Sequence, residues 1–393
     1  MIFNTVSYYL LFLFPSAVAF QLARPRWRPA ICAIFGSAFF VFFSLTAVGG
    51  APGAFCLGIF LWESAFSRLY KKGSWLCWVG VFQSIVFLII FKYWNFFSGL
   101  YFGLPAKNPW YWKGAFLPIG ISFFTFEFIH YAVDRSQGKV EAGTLSEYMS
   151  FILYFPTMVA GPIKRYQDFL PKIRNPDLVA LTNWRVGCTR ILAGLVKKFA
   201  IADVMTAFTG HLNQPDIAVA PRWALLIWLL AYGIKIYFDF SGYSDIAIGS
   251  ARLFGIKVPE NFDWPYFRSN ITSFWRHWHI SLSRWLTDYV FIPLGGSHVP
   301  AGRVYANLLV TMLVSGIWHG AGLNFLVWGA WHGLLLVCHR IWINWRGPAS
   351  PDRPFYRTAL CCAGTFVWVN LGWAFFCMDL PTAGAFFHRL LVR

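Results

Sequence analysis

The chain has 393 residues, with 33 Lys and Arg against 16 Asp and Glu, which gives a formal charge of +17. Apolar residues make up 58% of it and charged residues only 12%, whereas a soluble domain is about 45–50% apolar and about 25% charged. This composition excludes a soluble globular protein, a disordered chain, a collagen-like repeat and a secreted disulfide scaffold. It predicts an all-α, polytopic integral membrane protein.

The basic residues lie in short clusters between apolar runs. A nucleic-acid interface needs Lys and Arg gathered on one solvated surface, so nucleic-acid binding is disfavoured. In a membrane protein such clusters indicate cytoplasmic loops and contacts with anionic lipid. The eight cysteines almost all lie in apolar runs without Cys-x-x-Cys or zinc-ligand spacing. They are typical of small buried hydrophobic residues, and no metal site is predicted.

The first apolar run, residues 1–20, has no Lys or Arg and no small-x-small cleavage site. It therefore predicts a retained membrane helix and not a signal peptide. Arg24, Arg26 and Arg28 follow at once, and the positive-inside rule then places the N-terminus outside. A turn is expected at 49–53 and an outside loop at 103–113. The next spans, read from runs of about 20 apolar residues, are 30–48, 54–69, 75–101 and 116–133.

The hydropathy is less regular in the second half of the chain. Residues 148–160 form a short apolar run before Gly161-Pro162, which predicts a re-entrant segment that enters the bilayer incompletely. Residues 241–297 alternate polar and aromatic side chains and predict amphipathic or buried helices near the cytoplasmic face. We expect ten or eleven crossings in one domain, residues 1–393. The remaining spans are 186–208, 223–240, 308–318, 325–340 and 358–376, with a basic loop at 346–357.

Ionisable side chains inside apolar runs are costly unless they face a cavity or a partner, so they indicate candidate sites. Glu127 and His130 are three residues apart and share a helical face; Glu127 is expected to pair with His130 or with an arginine. Lys235 and Asp239, at i and i+4, are expected to neutralise each other. The cations expected to meet lipid phosphates are Arg268, Arg276 and Arg284.

The spacing of the histidines limits what they can build. On one helix His277 and His279 would point about 200° apart, so only one of them would face a given cavity. His319 and His332 are thirteen residues apart, roughly 20 Å along a continuous helix. Although the glycines after His319 allow a bend, we do not expect these two to share a site. H-E-x-x-H is absent, which disfavours a zinc protease, while a haem held by histidines of different helices stays open.

His319 lies between Trp318 and Gly320 in an apolar run. A neutral imidazole can take the proton of a hydroxyl at pH 7 and so act as a general base. The alternative for a lone histidine in such a run is ordinary packing. On these residues alone both interpretations remain.

Four segments resemble the membrane-bound O-acyltransferase family, in particular its bacterial polysaccharide branch. They cover roughly residues 115–340, the expected catalytic core. The resemblance is greatest to the alginate O-acetyltransferase type, and the D-alanyl transferases of teichoic acid are the second relatives. The segments are 118–126 (PIGISFFTF), 155–166 (FPTMVAGPIKRY), 237–296 with WRHWHISLSRW at 275–285, and 316–333 with two WHG tripeptides.

The resemblance implies helices around a thinned membrane centre, in the bacterial inner membrane. There a cytoplasmic thioester donor, acetyl-CoA or a phosphopantetheine-bound acyl carrier, meets the hydroxyl of an extracytoplasmic glycan or a periplasmic partner transferase. No bound cofactor is implied. His319 would be the catalytic base and His279 a second active-site histidine that orients the donor or stabilises the oxyanion. Residues 261–284 are expected to dock the donor. Further expected lining residues are Trp318, Asn324, Trp275, Trp278, Tyr243, Asp239, Ser241, His332 and Glu127.

Three other functions stay open at this point. Transfer of D-alanine to cell-envelope polymers would use the same mechanism with another acyl group. A secondary transporter would use broken helices and central charges, although repeated halves are not visible. A haem-binding membrane protein would use the histidines as iron ligands.

Overall fold

The computed structural model describes residues 2–48, 50–103, 107–113, 117–176, 180–347 and 354–392. Within these ranges the secondary structure is helical, with no β-strand, which confirms the all-α class. Parts of the predicted segments 49–53, 103–113, 116–133 and 346–357 lie outside the described residues. The predicted turn at 49–53 is wrong in its described part, because residues 50–53 already belong to a helix that begins at Gly50. The chain forms two compact units: Met1–Leu195 with Tyr243–Pro259, and Val196–Gly242 with Glu260–Arg393. The expectation of a single domain stays a prediction.

The helices are numbered in chain order. Those up to residue 196 are α1 (Phe14–Leu22), α2 (Arg28–Val48), α3 (Gly50–Phe66), α4 (Leu76–Leu88), α5 (Trp94–Phe102), α6 (Ile121–Ser136), α7 (Leu145–Ile152), α8 (Phe155–Met158), α9 (Tyr166–Arg174) and α10 (Ala180–Val196). Those that follow are α11 (Thr206–Thr209), α12 (Gln214–Val219), α13 (Arg222–Leu253), α14 (Ile271–His277), α15 (Ile280–Leu286), α16 (Ala301–His319), α17 (Leu323–Arg346), α18 (Phe355–Cys377) and α19 (Leu380–Leu391).

Five helical stretches of the described residues are long and apolar enough to cross a membrane, and Tyr8–Leu22 is a shorter apolar helix. About 20 residues at 1.5 Å rise span the hydrocarbon core, and each stretch meets that length. They overlap predicted spans and confirm a membrane protein. The expected ten or eleven crossings stay a prediction. The stretches are Pro25–Thr46, Leu76–Phe102, Arg222–Leu253, Leu323–Arg346 and Phe355–Cys377.

The predicted end of a span at residue 240 is wrong, because α13 continues to Leu253. Its polar residues do not end the helix, since they find partners in the protein. Asp239 pairs with Lys198 at 2.8 Å, and Asp245 pairs with Arg190 at 2.6 Å. The predicted pairing of Asp239 with Lys235 is therefore wrong, and Lys235 Nζ donates instead to Thr209 Oγ1 at 3.2 Å. Beyond α13 the predicted helices with buried residues are confirmed as α14 and α15, and their expected place near the cytoplasmic face stays a prediction.

Helices α16 and α17 form a hairpin that places the two Trp-His-Gly segments in one region. The chain leaves helical geometry at Gly320 and re-enters it at Leu323. Small residues let the two backbones approach closely: a side chain at Gly316 would overlap the carbonyl of Phe325, and one at Gly329 would overlap the carbonyl of Met312. The site is built on this contact.

Candidate active site

His319 is the last residue of α16 and is half-buried. Its ring centroid lies 4.8 Å from that of Trp318 and 5.0 Å from those of Trp328 and Phe376, which belong to α17 and α18. Because α16 ends here, the ring lies at a helix terminus and not in the middle of a packed helix face. This position leaves it open to a reactant.

His332, one helical turn after Trp328 in α17, is fully buried. The ring centroids of His332 and Trp328 are 5.0 Å apart. The indole of Trp328 therefore contacts both His319 and His332. The expectation that these two histidines lie apart is wrong, because the hairpin turn at Gly320–Gly322 folds α17 back along α16 and the separation along a continuous helix does not apply. Trp275 of α14 lies 5.2 Å from His332, edge to face.

Several buried polar atoms of this cluster have no hydrogen-bond partner among the described residues. They are Nε1 of Trp275, Nε1 of Trp328, both ring nitrogens of His332 and Nε2 of His279. A buried polar group left unpaired costs about 1–3 kcal/mol, and the great majority of such groups in proteins are satisfied. Five unpaired atoms on four side chains of one unit therefore indicate a place where a polar ligand completes the hydrogen bonds.

His279 lies between α14 and α15 and has φ +43°. His277, which ends α14, lines the cavity beside this helix, whereas His279 does not. The Nδ1 of His277 faces the Ser273 carbonyl at 2.7 Å and its Nε2 lies 3.6 Å from Asp263. The two histidines thus differ in environment as expected, although they do not share one helix. Burial lowers the pKa of His279 to about 3, so its ring is neutral at physiological pH. It packs edge to face on Phe240, at 4.6 Å.

A cavity of about 1080 Å³ opens beside this cluster. Trp275 lines it, and the same indole ring lies 5.7 Å from Trp328. Three exposed arginines, Arg276, Arg284 and Arg340, also line it, together with Asp288, so the arginines expected at 276 and 284 border an open cavity. Arg268 instead pairs with Asp263 at 2.9 Å. Cationic walls of this kind suit an anionic ligand.

Three of the other predicted lining residues, Trp278, Asn324 and Asp239, have protein partners. Trp278 packs on Trp373 at 5.0 Å in the same core, and Asn324 donates to the Phe375 carbonyl at 3.1 Å, next to Phe376. Asp239 is paired with Lys198, while Ser241 is buried with its hydroxyl unpaired among the described residues.

Two predicted lining residues belong to the other compact unit. Tyr243 packs on Phe3 there, with ring centroids 5.4 Å apart. Glu127 forms a buried ion pair with Lys164 at 2.5 Å, so the expected partner, His130 or an arginine, is wrong. His130 Nε2 instead accepts from the backbone N–H of Tyr166 at 3.1 Å.

Three residues of the cluster were not predicted from the sequence: Trp328, Phe376 and Asn261. Trp328 could have been predicted from the sequence, since it precedes His332 by four residues and shares its helical face. Phe376 and Asn261 are distant in the chain from the residues that they contact, so no local pattern identifies them. Within the part of the chain that the structure describes, no three His, Cys, Asp or Glu side chains are grouped to hold a metal ion.

Comparison with known proteins identifies the family of the chain. The membrane-bound O-acyltransferase family matches residues 75–378. The probable alginate O-acetylase AlgI of Pseudomonas aeruginosa is 35% identical over 396 residues, which cover 96% of this chain and 72% of that protein. The peptidoglycan O-acetyltransferase of Helicobacter pylori is 35% identical over 78% of this chain and 62% of that protein. The teichoic acid D-alanyltransferase of Bacillus subtilis is 30% identical over 72% of each chain.

The family decides between the functions that the residues left open. Transport and haem binding are set aside in favour of acyl transfer, since the matched region includes the histidine cluster and the hairpin that builds it. The chain belongs to the membrane-bound O-acyltransferase family and is an O-acyltransferase.

Proposed function

We propose that this protein transfers an acetyl group from a cytoplasmic thioester to a hydroxyl of an extracytoplasmic cell-envelope polysaccharide, or to a partner transferase that delivers it there. His319 is the general base. The observation that carries the proposal is the group of buried, unpaired polar atoms around Trp328. A thioester carbonyl and a hydroxyl would supply the missing acceptor and donor.

His319 suits the role of base better than the other two histidines of the cluster. His279 and His332 are 1% and 0% exposed, whereas His319 is half-buried at the end of its helix. An acceptor hydroxyl can therefore approach it. The imidazole removes the hydroxyl proton as the oxygen attacks the thioester carbonyl. When the tetrahedral intermediate collapses, the C–S bond breaks and the thiolate takes the proton from the imidazolium.

The negative charge on the carbonyl oxygen needs hydrogen-bond donors. The indole N–H groups of Trp275 and Trp328 are donors only, and both are buried without a partner among the described residues. Fixed donors in a site without water stabilise such an oxyanion more strongly than water does. We assign the oxyanion contacts to these two indoles.

The cavity beside Trp275 supports a phosphate-bearing donor. Its volume of about 1080 Å³ reaches the upper end of the range of small-molecule sites, about 300–1,000 Å³. Arg276, Arg284 and Arg340 supply positive charge on its walls, and guanidinium groups bind phosphate through paired N–H donors. Acetyl-CoA and a phosphopantetheine carrier thioester both carry phosphate. The protein uses either one as a co-substrate and holds no cofactor of its own.

The functions of the relatives support a cell-envelope acceptor. They name alginate, peptidoglycan and teichoic acid, which are polymers outside the cytoplasmic membrane. Two of these three relatives transfer acetyl, which favours acetyl over D-alanine for this chain.

The test compares a gene deletion complemented by wild type, His319→Ala or His298→Ala. His298 is an exposed histidine away from the cluster and is the matched control. We expect ester-linked acetyl on the envelope polysaccharide, measured by mass analysis, to return with wild type and His298→Ala but not with His319→Ala. Loss of ester-linked D-alanine instead would show that the transferred acyl group is D-alanine and not acetyl. Full acylation by His319→Ala at normal protein level would overturn the base, and an unchanged envelope in the deletion would overturn the function.

A further inference from the structure

Asn261 is fully buried on the extended segment between α13 and α14. Its side-chain oxygen receives three contacts: Ser281 N at 3.2 Å, Ser281 Oγ at 2.8 Å and His279 Nδ1 at 3.1 Å. Its backbone carbonyl accepts from the N–H of Ile280 at 2.9 Å. One residue thus contacts the ring of His279 and both residues that follow it.

These contacts determine which nitrogen of His279 carries the proton. The backbone N–H of Ser281 can only donate, so the amide atom that faces it is the oxygen and not the NH₂ group. An oxygen can only accept, and the Nδ1 atom facing the same oxygen must then be protonated. In a neutral imidazole one nitrogen is a donor and the other an acceptor. Nε2 of His279 therefore carries a lone pair, and it is buried without a partner among the described residues.

The backbone of His279 is strained as well. A φ of +43° puts a residue with a Cβ in the left-handed region, at a cost of roughly 1–2 kcal/mol. Such conformations persist where surrounding contacts fix them, and they cluster at functional sites. The bonds from Ile280 and Ser281 to Asn261 lie immediately after the strained residue and hold it in place.

We propose that Asn261 is a positioning residue that fixes His279 with Nδ1 protonated, so that Nε2 accepts a hydrogen bond from a hydroxyl of the polyol acceptor. The inference rests on the proposed acyl transfer and deepens it. It replaces the expected oxyanion role of His279, because a neutral ring in this tautomer offers no N–H at Nε2. The acceptor class it implies is a sugar or polyol whose hydroxyl is held by one histidine while another takes its proton.

The surroundings of His279 are mostly apolar. Phe240 of α13 and Trp318 of α16 pack on the ring. Next to these two rings in the chain lie His319, which follows Trp318, and Asp239, which precedes Phe240 and is paired with Lys198. On the segments before and after His279, Asp263 and His277 face each other.

The experiment uses the full-length protein in detergent with acetyl-labelled acetyl-CoA and de-O-acetylated envelope polysaccharide of the host. We expect Asn261→Ala to lower kcat by about 10- to 100-fold, the size seen when a residue that orients a histidine is removed. Asn344→Ala removes an exposed amide of α17 that donates to the Tyr305 hydroxyl at 3.2 Å, outside the histidine cluster. This matched control is expected to keep kcat within about 3-fold, as for most substitutions outside a functional contact.

Asn261→Asp separates positioning from a merely structural role. Its carboxylate still accepts from Nδ1 and from Ser281, so activity is expected to recover at pH 8. The negative charge also favours the imidazolium and raises the pKa of His279. As the pH falls, the Nε2 lone pair is then lost at a higher pH than in the wild type. A wild-type pH profile for Asn261→Asp would contradict the proposal.

A double substitution tests whether Asn261 acts through His279. If Asn261 acts through His279, adding Asn261→Ala to His279→Ala lowers the residual rate no further, because the two effects are not additive. Additive losses, or full activity of Asn261→Ala alone, would overturn the positioning role. Absence of transfer by the wild type would instead overturn the proposed function.

Discussion

At the scale of single residues, the informative feature is an absence of partners. Trp275, Trp328 and His332 are buried with polar atoms that no described residue satisfies. Unlike the buried Lys164, which pairs with Glu127 at 2.5 Å, these groups are not paired within the fold. In the proposed mechanism the substrates supply the hydrogen bonds that these groups lack, and substrate binding offsets the cost of leaving them unpaired.

The Trp328→Phe variant tests whether the indole N–H of Trp328 bonds to the substrate, since it removes that N–H and keeps the aromatic contact with His319. We expect kcat to fall by about 10²- to 10³-fold, the effect of losing one oxyanion donor, with little change in KM. Steady-state kinetics with the labelled donor measures both. Trp345→Phe, at a highly exposed indole of the same helix, is the control. An equal loss in both variants would contradict the assignment.

At the scale of elements, the site depends on the hairpin of α16 and α17. The two histidines meet at Trp328 because the chain reverses at Gly320–Gly322 and because glycine at the crossing allows close packing. Composition and hydropathy predicted both helices. They did not predict the crossing, since the distance between two helices depends on the side chains that meet there.

Gly329→Ala is expected to disturb this crossing, because its added methyl group would overlap the Met312 carbonyl of α16. Overpacking of this kind destabilises by about 1–3 kcal/mol, so the thermal unfolding midpoint in detergent should fall, and acyl transfer with it. Gly364→Ala in α18 is the matched control, because a methyl group there meets open space. Its midpoint should stay unchanged or rise. An unaltered midpoint for Gly329→Ala would show that the helices do not approach so closely.

At the scale of the whole molecule, the distribution of charge and hydropathy along the chain predicts its orientation in the membrane. The chain has a formal charge of +17 but only 12% charged residues. Many of its basic residues lie in short clusters between apolar runs. Clusters near the ends of membrane helices favour the cytoplasmic side. The cluster at Arg24, Arg26 and Arg28 directly follows the first apolar helix and predicts an N-terminus outside.

Cysteine labelling tests this orientation. In a background without the native cysteines, Val6→Cys and Arg26→Cys place thiols at exposed positions on either side of the first apolar helix. We expect an impermeant maleimide to label Val6→Cys in intact spheroplasts and Arg26→Cys only after permeabilisation. The reverse pattern would show that the N-terminus is cytoplasmic.

The amino-acid sequence by itself determined that the protein is an all-α membrane protein, its family and three histidines of interest, because these follow from composition, from runs of apolar residues and from local motifs. The tertiary structure alone decided which of those residues meet. In the fold, His319 and His332 both contact the indole of Trp328, and Asn261 contacts His279. Asp239 pairs with Lys198, and Glu127 pairs with Lys164. Such pairings join residues distant in the chain, and they depend on the crossings and turns that bring helices together, which no local pattern encodes.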